Sequence, residues 1–155
     1  MNKLMHIKIK YITITIGLLG LIPYGFPLIQ NYEFINYYEI KTINFTIWYG
    51  ITILCFLSGV YWGLSINTLT KNYSNLNYLL PALSVIPFIF AIGALIASSF
   101  INIIFLVTGF LICQILDEIS FAHKLYFSWY IVLRRFLTVV VVTLLIYYYI
   151  IYTDV

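Results

Sequence analysis

The sequence predicts an all-α fold: a polytopic membrane bundle of five transmembrane helices, N-terminus inside and C-terminus outside. Three observations predict it. Of 155 residues, 63% are hydrophobic and 8% charged, with mean hydropathy +1.02. A soluble domain carries about 25% charged residues. There is too little charge to coat a water-facing surface, so lipid must be the solvent, and residues 1–155 read as one membrane domain. Second, the apolar residues fall into five runs, at about 11–29, 45–66, 79–98, 101–116 and 136–152. Most approach the ~20 residues that a bilayer requires. Third, threading five spans places Lys3, Lys8, Lys10, Lys71, Lys124, Arg134 and Arg135 on one side and Lys41 alone on the other. That bias puts the N-terminus in the cytoplasm, or in the matrix of a mitochondrion.

Residues 1–10 are a short basic tail with Lys3, His6, Lys8 and Lys10. The first run follows it and ends at Pro23-Tyr24-Gly25-Phe26-Pro27, with no small-residue cleavage site. It reads as an uncleaved helix, bent or broken near Pro23. Its start alternates like a strand from Ile7 to Ile16. A transmembrane barrel needs many such segments, and the later runs are continuously apolar. Residues 30–44 are a polar connector with Glu33, Glu39 and Lys41, and with interfacial tyrosines Tyr32, Tyr37 and Tyr38.

The second span ends in Phe56-Leu57-Ser58-Gly59-Val60-Tyr61-Trp62-Gly63-Leu64-Ser65. Gly59 and Gly63 lie one turn apart on one helix face, where another backbone can approach closely. Neighbouring helices are already tethered in one chain, so packing within the bundle is expected ahead of dimerisation. Residues 67–78 form a loop rich in Asn, Thr and Ser, with Lys71. In the third span Pro81 suits the first turn and Pro87 predicts a kink. Gly93 and Ala97 form a second small-residue pair. The short turn at 98–102 makes the third and fourth helices antiparallel neighbours. Residues 117–135 mix Phe121, Tyr126, Phe127, Trp129 and Tyr130 with His123, Lys124, Arg134 and Arg135, and part of this stretch is expected to lie in the interface. Tyr147, Tyr148, Tyr149 and Tyr152 then mark an aromatic belt at the far end of the fifth span, with Asp154 outside.

No ionisable residue lies in the middle of any predicted span, which disfavours proton relays, ion pathways and voltage sensing. The two histidines, His6 and His123, form no intramembrane pair for a haem. No metal-ligand spacing, phosphate loop or paired carboxylates occur, so no catalytic residue, metal or cofactor is assigned. Cys55 and Cys113 sit inside apolar runs as small packing residues. The positive charges form no nucleic-acid stripe. What remains is a cluster at the cytoplasmic or matrix boundary: Tyr61, Trp62, Gln114, Asp117, Trp129, Tyr130 and Arg134. A buried Asp117–Arg134 ion pair with Trp62 and Trp129 nearby would make a docking or ligand site. The plainer reading of the same residues is interface anchoring.

At these residues the sequence resembles the transmembrane protein 69 family, small bacterial and mitochondrial inner-membrane proteins of unknown function. The resemblance runs through Gly17-Leu18-Leu19-Gly20-Leu21-Ile22-Pro23, Ser58-Gly59-Val60-Tyr61-Trp62-Gly63-Leu64 and Ser84-Val85-Ile86-Pro87. It continues through Gln114-Ile115-Leu116-Asp117 and Trp129-Tyr130-Ile131-Val132-Leu133-Arg134-Arg135-Phe136-Leu137-Thr138. Tyr61 stands where that family usually has His, which argues against an essential imidazole, and Phe136 stands where Pro is common. The resemblance implies five helices in an inner membrane and no established activity.

The expectation is a non-enzymatic integral membrane protein in contact with the lipid bilayer: a scaffold, accessory subunit or assembly partner of other membrane subunits. The alternative is a small transporter or lipid-binding protein for an uncharged or amphipathic ligand, using the breaks at Pro23 and Pro87. A third reading makes Asp117 a catalytic group of a membrane enzyme.

Overall fold

A computed structural model describes residues 3–30, 38–69, 76–97 and 101–153. It is all-helical among these residues: α1 (Lys3–Leu19), α2 (Ile22–Gln30), α3 (Tyr38–Leu69), α4 (Leu76–Ile96), α5 (Ile101–Ala122) and α6 (Ser128–Thr153). Five segments are long and apolar enough to span a membrane: Ile7–Leu28, which contains the α1–α2 break, then Ile43–Ile66, Leu79–Ile96, Ile101–Ala122 and Ser128–Ile150. The strand-like alternation of Ile7 to Ile16 lies within helix α1. In lipid a single segment satisfies its backbone only by coiling, and that requirement outweighs a period-2 pattern. The tyrosines Tyr32 and Tyr37, with Glu33, Lys71 and Asp154, lie outside the described residues, as do the side chains of Tyr38, Glu39, Lys41 and Tyr152.

The first span breaks at Gly20–Leu21. Pro23 has no N–H to continue the ladder, and its ring crowds the carbonyl of Leu19. Pro23 instead sits in the first turn of α2, where a donor is not needed. The break frees carbonyls, and neighbouring helices take them up. Tyr49 of α3 donates to the Gly20 carbonyl at 3.1 Å. Pro27 cannot donate to the Pro23 carbonyl four residues back, and Thr46 of α3 does so at 3.3 Å. Tyr148 of α6 donates to the Tyr24 carbonyl. In α4 Pro87 has no N–H for the Leu83 carbonyl, and one residue further on Ser58 of α3 donates to the Ser84 carbonyl at 2.6 Å.

Helices α3, α4 and α5 pack side by side, and α6 closes on α5. Close approach is made through glycines. A Cβ at Gly109 would stand 2.7 Å from Leu54 Cδ1, and one at Gly93 would stand 2.7 Å from the Phe105 ring. Gly50 faces Leu106 and Gly17 faces Leu137, each at 3.1 Å. Gly59 and Gly63 differ: both are exposed, and nothing among the described residues lies within 4 Å of a Cβ built there. Their face looks out of the bundle and not into it as expected. The reason is the register of α3, whose inward stripe is Leu54, Leu57, Tyr61 and Ser65.

Two further expectations change. Residues 117–122 continue α5, and residues 128–135 begin α6, so no separate interfacial helix is present there. The link between them is a tight helix stop. Leu125 N–H donates to the Ser120 carbonyl at 3.0 Å and Lys124 N–H to Phe121 at 2.8 Å, with Lys124 at φ 57°. That is a Schellman motif with lysine at the position that glycine usually takes. Tyr148 belongs to the core at 2% exposure, not to an outer belt.

Candidate functional site

The buried face of α5 carries Cys113, Leu116, Asp117 and Ser120, spaced by three or four residues. Asp117 stands five residues before the end of α5, and Arg134 six residues after the start of α6. Both therefore lie inside helices long and apolar enough to span a membrane, a little in from the helix ends that meet at the α5–α6 turn. At 1.5 Å per residue the inset is roughly 8–9 Å.

Arg134 Nε donates to Asp117 Oδ2 at 2.7 Å, with side-chain exposures of 11% and 1%. The Tyr61 hydroxyl of α3 lies 2.9 Å from Asp117 Oδ1 and 2.8 Å from the Cys113 carbonyl, and shares its one proton between them. Three helices are thus tied at one carboxylate. In a low-dielectric setting a lone carboxylate or guanidinium would be costly, and each offsets the other. One residue further along both helices a second pair forms. Arg135 donates to Glu118 through Nε at 2.6 Å and Nη2 at 2.7 Å, and Gln114 Nε2 donates to Glu118 at 2.8 Å. This second pair is exposed, with 52% and 41% of its side chains accessible.

The structure brings together Tyr61, Asp117 and Arg134 and sets Gln114 beside them through Glu118. Trp62 points away and is exposed. Trp129 is half-buried at the α5–α6 turn, stacked on Phe127 at 6.3 Å and edge-on to Tyr130 at 5.9 Å. Tyr130 meets Tyr126 at 4.8 Å. Tyr126 lies in the turn outside the spans; burial raises its phenol above the usual range, and the Asp117 charge adds to the rise. Of the two small-residue pairs, Gly93 is in the α4–α5 contact, and Ala97 is half-buried with its N–H on the Gly93 carbonyl at 2.9 Å.

Beside the ion pair is a cavity of about 220 Å³, which the sequence did not reveal. Its walls are Ile16, Gly17 and Gly20 of the first span, Tyr49, Ile53, Phe56 and Leu57 of α3, and Leu137, Thr138 and Val141 of α6; Arg134 also lines it. Arg134 Nη2 is buried without a hydrogen-bond partner among the described residues. Tyr24 lies at 1% exposure against Tyr49 and Phe110, with ring centroids at 5.3 and 6.5 Å, and its hydroxyl likewise has no partner. The exposed pair had a readable signal: an Asp-Glu doublet and an Arg-Arg doublet flank one short connector, so both pairs can form at once.

Among the described residues no group of three His, Cys, Asp or Glu is arranged to hold a metal ion. No curated protein and no solved structure matches the chain. A family model does, over residues 9–150, which takes in nearly all of the five spans and every residue of the Tyr61–Asp117–Arg134 site. The chain therefore belongs to the family described as "Protein of unknown function (DUF3429)".

Proposed function

We propose that the protein is a non-enzymatic membrane subunit that docks against another membrane protein through the outward face of α3. The observation that carries this reading is the open ground at Gly59 and Gly63. The glycines are exposed on an apolar helix, no described side chain approaches them, and exposed Phe56, Trp62 and Ile66 surround them. In lipid such a face favours close packing with a second helix, because van der Waals contact replaces the missing hydrophobic drive. The Asp117 carboxylate supports the non-enzymatic reading, since both its oxygens are engaged in holding helices together.

The charge asymmetry supports an orientation with the N-terminus and the α5–α6 turn in the cytoplasm or matrix. The resemblance to the transmembrane protein 69 family supports an inner-membrane setting, bacterial or mitochondrial.

The test is native particle size in mild detergent for the wild type and for Gly63→Leu. Because the site is open within the chain, leucine leaves the bundle unstrained and reads association alone. The expected result is a large wild-type particle with a reproducible partner, and a smaller particle for the variant at unchanged thermal stability. An unchanged size would refute the docking face.

A further inference from the structure

We infer that the cavity between the first span, α3, α5 and α6 takes the methyl end of a phospholipid acyl chain, which enters sideways from the bilayer while its headgroup stays at the interface. This goes beyond the docking role and does not depend on it.

The cavity lies at mid-depth. Ile16 of α1 and Phe56 of α3 line it and are also 64% and 68% exposed, so they stand at its outer edge. Ile16 is nine residues into the segment Ile7–Leu28, and Phe56 is ten residues from the end of Ile43–Ile66. At 1.5 Å per residue, each is roughly 14–15 Å from the end of its segment. Bilayer hydrocarbon is ~30 Å thick, so that edge meets the middle of the membrane. Phospholipid chains end at that level, because their headgroups are held at the two surfaces. A headgroup has no reason to follow, since it would shed its water on the way in.

The cavity is also continuous with the surface suited to lipid contact. Ile9, Ile12 and Ile16 are exposed and spaced by three and four residues, so they form one row along α1. A chain lying on that row is led from the end of the segment to the edge of the cavity. Inside, Ile53 and Leu57 of α3, Phe110 of α5 and Val141 of α6 present hydrocarbon. The charged residue on the wall, Arg134, is already neutralised by Asp117 at 2.7 Å.

Volume sets how much enters. Atoms lining a void lose contacts that a guest restores. A Leu/Ile/Phe-lined cavity of about 150 Å³ stays dry and takes benzene. At about 220 Å³ the present cavity has room for a somewhat larger apolar group. It is still below the ~300–1,000 Å³ of sites that enclose a whole small molecule, so the rest of the lipid stays outside.

The test is photolabelling of the purified full-length chain reconstituted in phosphatidylcholine liposomes, with labelled positions mapped by mass spectrometry. Three probes are compared: phosphatidylcholine with a diazirine at the methyl end of one chain, phosphatidylcholine with the diazirine beside the ester, and a diazirine-bearing alkane. Leu57, Phe110 and Val141 line the cavity and are buried, so lipid around the bundle does not reach them. Exposed Val139 of α6 reports that ordinary contact. The chain-end probe is expected to label Val139 and the three buried positions, and the ester-side probe to leave the three unlabelled. Two variants accompany the wild type. Ile53→Phe fills the cavity from a half-buried position, and Ile16→Trp crowds its edge from an exposed one. Each is expected to abolish labelling of the buried positions while Val139 stays labelled. Chain-end labelling of Val139 alone overturns the proposal, as does equal labelling of the buried positions by the ester-side probe. So does buried labelling that survives Ile53→Phe, or, should that variant fail to fold, Ile16→Trp. Labelling of the buried positions by the alkane and not by the chain-end lipid overturns it too, and assigns the cavity to free hydrocarbon.

Discussion

Replacing Asp117 by asparagine tests the ion pair most directly. Asparagine keeps the shape and leaves an oxygen for the Tyr61 hydroxyl, so the loss is the negative charge opposite Arg134. With Arg134 Nε at 2.7 Å from Asp117 Oδ2, the two charge centres lie about 4 Å apart. At an effective dielectric constant of about 20, that separation is worth about 4 kcal/mol. Breaking one side of a buried pair typically costs about 3–5 kcal/mol, because the remaining charge stays buried without compensation. The assay is unfolding of the purified protein in mild detergent, followed by loss of the folded elution peak on heating. Asp117→Asn should fall by that amount, whereas Asp117→Leu combined with Arg134→Met should recover most of it, since the double variant leaves no stranded charge. Glu118→Gln, at the exposed pair, should cost only a small fraction of the Asp117 value. A stability for Asp117→Asn within about 0.5 kcal/mol of the wild type would refute the reasoning. So would a double variant no better than the single.

Other substitutions probe separate parts of the bundle. Tyr61→Phe removes a charge-assisted hydrogen bond from the same carboxylate and should cost about 1.5–3 kcal/mol in the same unfolding assay. Gly109→Ala places a Cβ 2.7 Å from Leu54 and 3.2 Å from Phe90, so it should cost about 1–3 kcal/mol, while Gly59→Ala, in open space, should be neutral or stabilise α3 by up to about 1 kcal/mol. Lys124→Gly relieves a left-handed residue at the α5 stop and should raise stability by about 1 kcal/mol; a loss would show that the lysine side chain matters more than its backbone angle.

How far the sequence could be read depends on the kind of information each feature needs. Five spans are legible because a bilayer imposes a length and a polarity on every segment, and both are local properties. The break near Pro23 is legible for the same reason, since one residue lacks a donor. The Asp117–Arg134 pair could be anticipated because two opposite charges sit near facing ends of consecutive helices, where few other partners exist. Rotation of each helix about its axis could not be read. α3 is apolar almost all round, so nothing local states which side meets α4 and α5. That is why Gly59 and Gly63 were expected inside and stand outside, while Gly50 and Gly109 passed unnoticed. Tyr148 was assigned to a belt by residue type; its burial depends on Tyr24, 124 residues earlier in the chain. The cavity is the least legible feature, being a gap between the first span, α3, α5 and α6.

The two ties on α6 explain why that gap persists. Arg134 fixes α6 to α5 and α3 through Asp117 and Tyr61, and Tyr148 fixes it again to the carbonyl of Tyr24. Between these anchors α6 also packs through buried Thr138, Val141 and Leu145. The first span cannot close the space either. Its α1 half packs on α6 where Gly17 meets Leu137, and its break at Gly20 is held on α3 by Tyr49. Gly17 and Gly20 lie three residues apart, so these contacts fix the C-terminal end of α1 against α6 and α3 beside the cleft. The polar residues in this apolar chain therefore act as spacers as well as bonds, and they border a cleft that hydrocarbon packing alone would tend to close.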